Sequence, residues 1–171
     1  LHPECQFDMC RVGVGLYGLQ PAETTIGVID LEPAMSVRGR VTRVVYPEVG
    51  AGVGYGMTYR VPKRNVQIAT VPIGYADGLS RALSNNMDVI VNGRRQRQVG
   101  NICMDQFMFA VDVNTTRTYC PTPEIHEGDV VTVIGADGDE RITADEMARL
   151  RGTINYEVVC GFGMRLPKVF V

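Results

Sequence analysis

Apolar and polar positions alternate, or β-branched residues gather in short runs, over Arg11 to Tyr17, Met35 to Tyr46, Val66 to Ile73, Met87 to Val91, Phe107 to Val113 and Val130 to Ile134. A period of two with valine and isoleucine enrichment marks strands, so the chain is predicted to be mainly β. Asn92-Gly93 follows the Met87 to Val91 run and supplies two residues tolerant of positive φ, which suits a type I′ hairpin turn. Thr143-Ala-Asp-Glu146 has the form of a capping box, in which Thr143 and Glu146 each satisfy an orphan backbone N–H; Met147, Ala148 and Leu150 then continue a helix of about two turns. A second brief helix is expected from Thr153 through TINYEV, ended by Gly161 and Gly163, with a last strand at Leu166 to Val171. No internal repeat or low-complexity linker interrupts these elements.

Composition narrows the setting. A chain of 171 residues with 45% hydrophobic content can bury one main core and a short second piece. Seventeen basic against nineteen acidic residues, a net charge of −2, give no reason to expect nucleic acid or an anionic membrane as partner. No apolar run approaches the roughly 20 residues of a spanning helix, and LHPECQFDMC lacks the layout of a signal peptide. The five cysteines (Cys5, Cys10, Cys103, Cys120, Cys160) are odd in number and form no CxxC pair, as expected of free thiols in a reducing, cytoplasmic compartment. The chain opens on Leu1 directly in a half-apolar segment, so further sequence is expected upstream.

Several motifs offer chemistry and lose it on inspection. Gly13-Val-Gly15-Leu-Tyr-Gly18 satisfies GxGxxG, but Pro21 and a loop-like stretch follow where a dinucleotide site needs a helix and, about 20 residues on, an acid. What survives is narrower: N–H groups beside glycines can cradle a phosphate. His2, Cys5, Cys10 and His126 have zinc-binding chemistry without a zinc-binding spacing, and no metal is expected. Asn114-Thr-Thr116 is a formal glycosylation sequon that carries no meaning in a chain that is not secreted. Three segments hold more: Val53-Gly-Tyr-Gly-Met-Thr-Tyr59, Pro72-Ile-Gly-Tyr-Ala-Asp-Gly78 and Gly100-Asn-Ile-Cys-Met-Asp-Gln106 each set a polar or aromatic group among glycines. Glycine permits unusual dihedrals and close approach, so Tyr55 between Gly54 and Gly56 suits a pocket wall; the plainer alternative is a strand tyrosine packing its ring.

In sequence order RVGVGLYGLQP, VGYGMTY, PIGYADGLSR, VGNICMDQ, and TINYEV with RLPKVF resemble the successive motifs of the alanine racemase family, over nearly the whole chain. The resemblance implies the family's C-terminal, barrel-like β-domain at residues 34–171, preceded at residues 1–33 by the last-strand region and linker of a (β/α)8 barrel. It further implies pyridoxal 5′-phosphate as cofactor, a small amino-acid substrate, and a head-to-tail homodimer whose active sites take residues from both subunits. The activity implied is interconversion of L- and D-alanine by two bases on opposite faces of the substrate carbon, supplying D-alanine for peptidoglycan.

Carried over by motif, the tyrosine of VGYG makes Tyr55 a catalytic base that reaches the neighbouring subunit's cofactor, and leaves Tyr59 structural. Tyrosine ordinarily ionises near about 10, so cationic neighbours or a relayed proton must assist it. Arg11 resembles the arginine facing the pyridine nitrogen; it can only donate and so keeps that nitrogen unprotonated. The N–H groups of Gly13 and Val14 would bind the phosphate. Tyr75 would line the substrate entrance, with the backbone of Met104 and the carboxylate of Asp105 at the substrate's carboxylate end, while Asp77 and Arg81 read as structural. Met164 stands where many family members place a phosphate-binding tyrosine, and methionine cannot make that hydrogen bond. Lys63, in a VPKRN surface loop, and Lys168, in the final segment, match neither the family's Schiff-base lysine nor its surroundings, so the chain alone is expected to be inactive. A serine or broad-specificity racemase, and a non-catalytic β-domain used for dimerisation, stay open as alternatives.

Overall fold

The computed structural model describes residues 3–113 and 124–171; His2, the Asn114 sequon and Cys120 lie outside the described residues. Its contacts divide the chain into two units, Leu1–Met35 and Ser36–Val171.

The first unit is built from short 3-10 turns at Pro3–Cys5, Gly13–Tyr17 and Glu23–Thr25. The strand expected over Arg11 to Tyr17 is not formed: the residues alternate in character, but Gly13 takes φ 65° and coils the backbone into the turn that ends at Tyr17. Val14 and Leu19 are buried, and the Ala34 N–H donates to the Tyr17 carbonyl at 3.0 Å. Gly18 is obligatory at its place, since at φ 70° a Cβ there would lie 1.6 Å from the Glu32 carbonyl oxygen.

Among the described residues, the second unit is antiparallel sheet with two helices. Its strands are β1 (Val37–Arg40), β2 (Arg43–Val45), β3 (Gly52–Val53), β4 (Tyr59–Arg60), β5 (Val66–Val71), β6 (Asp88–Val91), β7 (Arg94–Val99), β8 (Phe107–Asp112), β9 (Val130–Asp137) and β10 (Glu140–Ile142); α1 spans Ala144–Arg151 and α2 Asn155–Gly161. The main sheet has eight strands in the order β1-β9-β6-β7-β8-β5-β2, with β10 on β9, while β3 and β4 pair separately. The predicted Met35 to Tyr46 run therefore splits, its first part pairing with β9 and its second with β5. Only Val41 and Thr42 separate the two parts, and their N–H groups follow suit, Val41 donating to Asp129 and Thr42 to Thr70. The sheet thus curls until its two ends fall on one stretch of chain, which is the barrel-like form expected.

Burial explains why the β-branched runs were strands. Ala69, Val71, Val89, Ile90, Phe107, Phe109, Val111, Val131 and Val133 are at most 1% exposed, on neighbouring strands of that curled sheet. The hairpin forms as expected, Asn92 and Gly93 taking φ 51° and 68° between β6 and β7. Helix α1 starts on half of the predicted capping box: Thr143 Oγ accepts from the Glu146 N–H at 3.0 Å. The Glu146 carboxylate turns instead to Arg95 of β7, in a paired contact at 2.6 and 2.9 Å, and Arg95 also reaches Glu140 at 3.1 Å. A full charge nearby outcompetes a neutral N–H, because charge-assisted bidentate pairs are the stronger bonds. The final strand expected at Leu166 to Val171 is absent; Val169 and Phe170 are strand formers but have no ladder partner and are 79% and 94% exposed.

Candidate functional site

The site residues of the second unit gather around one loop, Gly100 to Gln106, between β7 and β8. Tyr55 stands in a 3-10 turn, Tyr55–Met57, between Gly54 at φ 68° and Gly56 at φ 74°. Glycine is favoured at 54 by its dihedral; a Cβ would meet only the mobile end of Met108, 2.8 Å away, and the Asn101 carbonyl oxygen at 3.4 Å. The ring is left 78% exposed, and the Tyr55 carbonyl accepts from Asn101 Nδ2 at 2.8 Å. Tyr59, four residues on, sits partly buried in β4, and burial first and the charge of Asp112 second push its phenol above the ordinary range. That setting suits the packing role expected of it.

Tyr75 opens a second turn, Tyr75–Asp77, docked on the far side of the same loop. The Tyr75 and Ala76 N–H groups donate to the carbonyls of Cys103 and Met104, both at 3.0 Å. Gly74 lets the strands of backbone approach this closely: a Cβ there would lie 2.2 Å from the Met104 oxygen. With its carbonyl occupied, Met104 offers outward its side chain, 52% exposed, and an N–H that no described acceptor takes.

Asp77 is buried and closes its own turn, accepting from the Gly74 N–H at 2.8 Å. Its other oxygen receives Arg165 Nε at 3.2 Å, and Arg165 Nη2 reaches Asp105 at 2.6 Å. One guanidinium therefore spans the Tyr75 turn and the Met104 loop, and the Asp105 hydrogen bond together with the Asp77 charge hold Arg165 above its ordinary range. Asp77 is structural, as expected. Asp105 is not an isolated carboxylate, because the Arg165 guanidinium beside it offsets its negative charge. Asn101 and Arg165, whose contacts tie these turns to the Gly100 to Gln106 loop, are the two positions of the candidate site that the sequence alone did not single out.

Arg11, Gly13 and Val14 lie in the first unit. Arg11 is exposed, and Gly13 and Val14 begin the Gly13–Tyr17 turn, where the first N–H groups of a helical turn have no internal acceptor. Two donors and a permanent cation fit a phosphorylated, aromatic-nitrogen cofactor in type. Lys63 makes a surface ion pair with Asp112 at 2.5 Å and Lys168 is exposed at the end of the chain. Cys5, Cys10 and Cys160 are exposed free thiols, Met164 is 95% exposed, and no group of three or more His, Cys, Asp or Glu among the described residues is placed to hold a metal ion. Among the described residues no helix is long and apolar enough to cross a membrane.

A family model described as the alanine racemase C-terminal domain matches residues 34–170. An alanine racemase of Nostoc sp. is 43% identical over 169 residues, covering 99% of this chain and 42% of the relative. One of Synechocystis sp. is 44% identical over 165 residues, covering 96% and 42%. Among solved structures, the alanine racemase of Bacillus anthracis with bound L-Ala-P matches with a TM-score of 0.81 at 40% identity, over 92% of this chain and 38% of that one. The alanine racemase of E. faecalis matches with a TM-score of 0.82 at 38% identity, over 93% and 40%. The chain spans about two-fifths of the length of these relatives.

Proposed function

The chain belongs to the alanine racemase C-terminal domain family, and on that premise we propose that it is the C-terminal part of a pyridoxal-phosphate-dependent racemase interconverting L- and D-alanine. Residues 1–33 then continue a barrel that carries the Schiff-base lysine, and residues 34–171 form the β-domain. The observation that carries this reading is Tyr55, a phenol 78% exposed on a turn that two positive-φ glycines define, with no hydrogen-bond partner among the described residues.

When bound, pyridoxal phosphate supplies the electron sink that acidifies the substrate's Cα–H. Gly13 and Val14 would donate their N–H groups to its phosphate, and Arg11 would donate a hydrogen bond to its ring nitrogen, which such a donor keeps unprotonated. Tyr55, presented to the neighbouring subunit of a homodimer, exchanges a proton with Cα of the L-enantiomer at its phenol oxygen. A second base from the rest of the enzyme serves the opposite face, which is what inverts the centre. Tyr75 borders the entrance; the Met104 N–H receives the substrate carboxylate, with Asp105 neutralised by Arg165 beside it. The isolated chain, lacking the lysine, is inactive, and the complete enzyme works in the cytoplasm to supply peptidoglycan synthesis.

The test is racemisation of L-alanine in heavy water by the full-length enzyme with pyridoxal phosphate, followed by chiral analysis. Cα-deuterated D-alanine is expected, and Tyr55→Phe should lose exchange from L-alanine while keeping cofactor absorbance. Turnover of serine but not alanine would reassign the substrate, and silence with every amino acid would leave a dimerisation domain without catalysis.

A further inference from the structure

Among the described residues none hydrogen-bonds the phenol of Tyr55, which is 78% exposed, so the place of its oxygen depends on the backbone beneath it. That backbone rests on side-chain amides. Asn101 Nδ2 donates to the Tyr55 carbonyl at 2.8 Å, and an added Cβ at Gly56 would come within 3.3 Å of the same nitrogen. At the other end of the turn Asn85 Nδ2 donates to Thr58 Oγ at 3.1 Å. The two tethers are joined underneath. Asn85 Oδ1 accepts from the Gly100 N–H at 2.7 Å, its own N–H donates to Gln98 Oε1 at 2.6 Å, and Gln98 Nε2 donates to the Gly100 carbonyl at 2.9 Å. Gln98 is 0% exposed, and Asn85 adopts φ 60° to present both its backbone and side chain. The network is anchored by buried Gln98, whose amide is costly to leave unpaired in a low-dielectric interior, while Asn101 is half-buried and Asn85 exposed.

We propose that Asn101, backed by Asn85 and Gln98, is the positioning residue of the Tyr55 base. The inference rests on reading Tyr55 as a base. Asn101 touches neither substrate nor cofactor; it acts through the Tyr55 carbonyl, fixing the turn so that the phenol arrives at one distance from Cα. A misplacement of about 1 Å costs roughly a hundredfold in rate, so a hydrogen bond that removes such freedom has leverage well beyond its own strength.

The experiment compares Asn101→Leu, Tyr55→Phe and Thr58→Val in the full-length enzyme with pyridoxal phosphate, following racemisation and, separately, Cα–H exchange of each enantiomer with heavy water. Loss of a base on one face slows exchange of L-alanine selectively, whereas general disruption slows both enantiomers alike. Asn101→Leu, similar in volume and without a donor, is expected to lower racemisation and L-alanine exchange roughly tenfold to a hundredfold at unchanged KM, with D-alanine exchange within about twofold of the parent. Thr58→Val, exposed and isosteric, should show the same asymmetry at a few-fold. If Asn101→Leu slows both enantiomers alike or neither, the inference is overturned. If Asn101→Leu does not fold, Thr58→Val decides alone, and parental behaviour there overturns it. Tyr55→Phe separates the two levels: parental exchange of L-alanine in that variant defeats the base assignment itself, while selective loss there beside a parental Asn101→Leu defeats only the positioning.

Discussion

Gly78 and Gly161 face each other across the contact between the Tyr75 turn and the end of α2, and they should respond to alanine in opposite ways. Gly78 sits at φ 110°, and a Cβ there would lie 2.2 Å from the Gly161 carbonyl oxygen, 2.6 Å from its carbon and 2.7 Å from Phe162 Cα. Carbon contacts are comfortable near about 3.5–4.0 Å, so the methyl group cannot be accepted without moving backbone. The dihedral costs about 1–3 kcal/mol and the forced displacement a further 1–3 kcal/mol, together about 2–6 kcal/mol. At roughly 2–4 °C per kcal/mol for a unit of about 150–250 residues, and less for a longer protein, the melting temperature of the full-length protein should fall by at most roughly 24 °C. Gly161→Ala places its methyl 3.6 Å from the Gly78 oxygen and 3.9 Å from an Arg151 nitrogen, which is ordinary contact. Gly161 closes helix α2, where alanine is favoured over glycine by about 0.5–1 kcal/mol in interior positions, so this variant should melt within a few degrees of the parent. Scanning calorimetry of the full-length protein and both variants measures the pair. Equal melting temperatures, or a larger loss at Gly161, would refute the reasoning.

Two further outcomes are accessible. If Asp105 borders the substrate's carboxylate as proposed, Arg165→Met frees that anion and should raise KM for alanine several-fold with a smaller effect on kcat; Arg165→Lys should recover only part of the loss, because an ammonium cannot fork to Asp77 and Asp105 together. An unchanged KM in Arg165→Met would show that the bridge does not bear on binding. Thr143→Ala removes the N-cap acceptor of α1 and should cost about 1 kcal/mol in urea unfolding, with no change in KM; a loss below about 0.3 kcal/mol would mean that the Arg95–Glu146 pair alone holds the helix start.

The sequence showed most where burial was continuous. Val66–Val71, Asp88–Val91, Phe107–Asp112 and Val130–Asp137 are strands whose apolar residues are mostly shielded, and a β-branched run is what such shielding selects. Arg94–Val99 carries RRQRQV, with no apolar alternation in its first four residues, and owes its place to pairing on both sides with β6 and β8. Periodicity misled at Arg11 to Tyr17 and Leu166 to Val171, because alternation speaks of side chains and says nothing of whether a ladder partner exists. Local chemistry made Tyr55 and Tyr75 visible, each with a glycine before it in sequence. Asn101 and Arg165 were not visible, since their meaning lies in partners 46 and 60 residues away, which only the fold brings near.

The adjacency of β1 and β2 bears on how the domain is made. β2 can pair with β5 soon after both are synthesised, but β1 must wait for Val130–Asp137, the last long strand of the main sheet to leave the ribosome. Such late, sequence-distant pairing is slow to complete, and until then Val37–Arg40 offers a raw row of backbone donors and acceptors to any passing strand. A ribosome stalled before residue 130 would hold a chain whose sheet has an open seam, so chaperone dependence and aggregation during synthesis should hinge on that final strand.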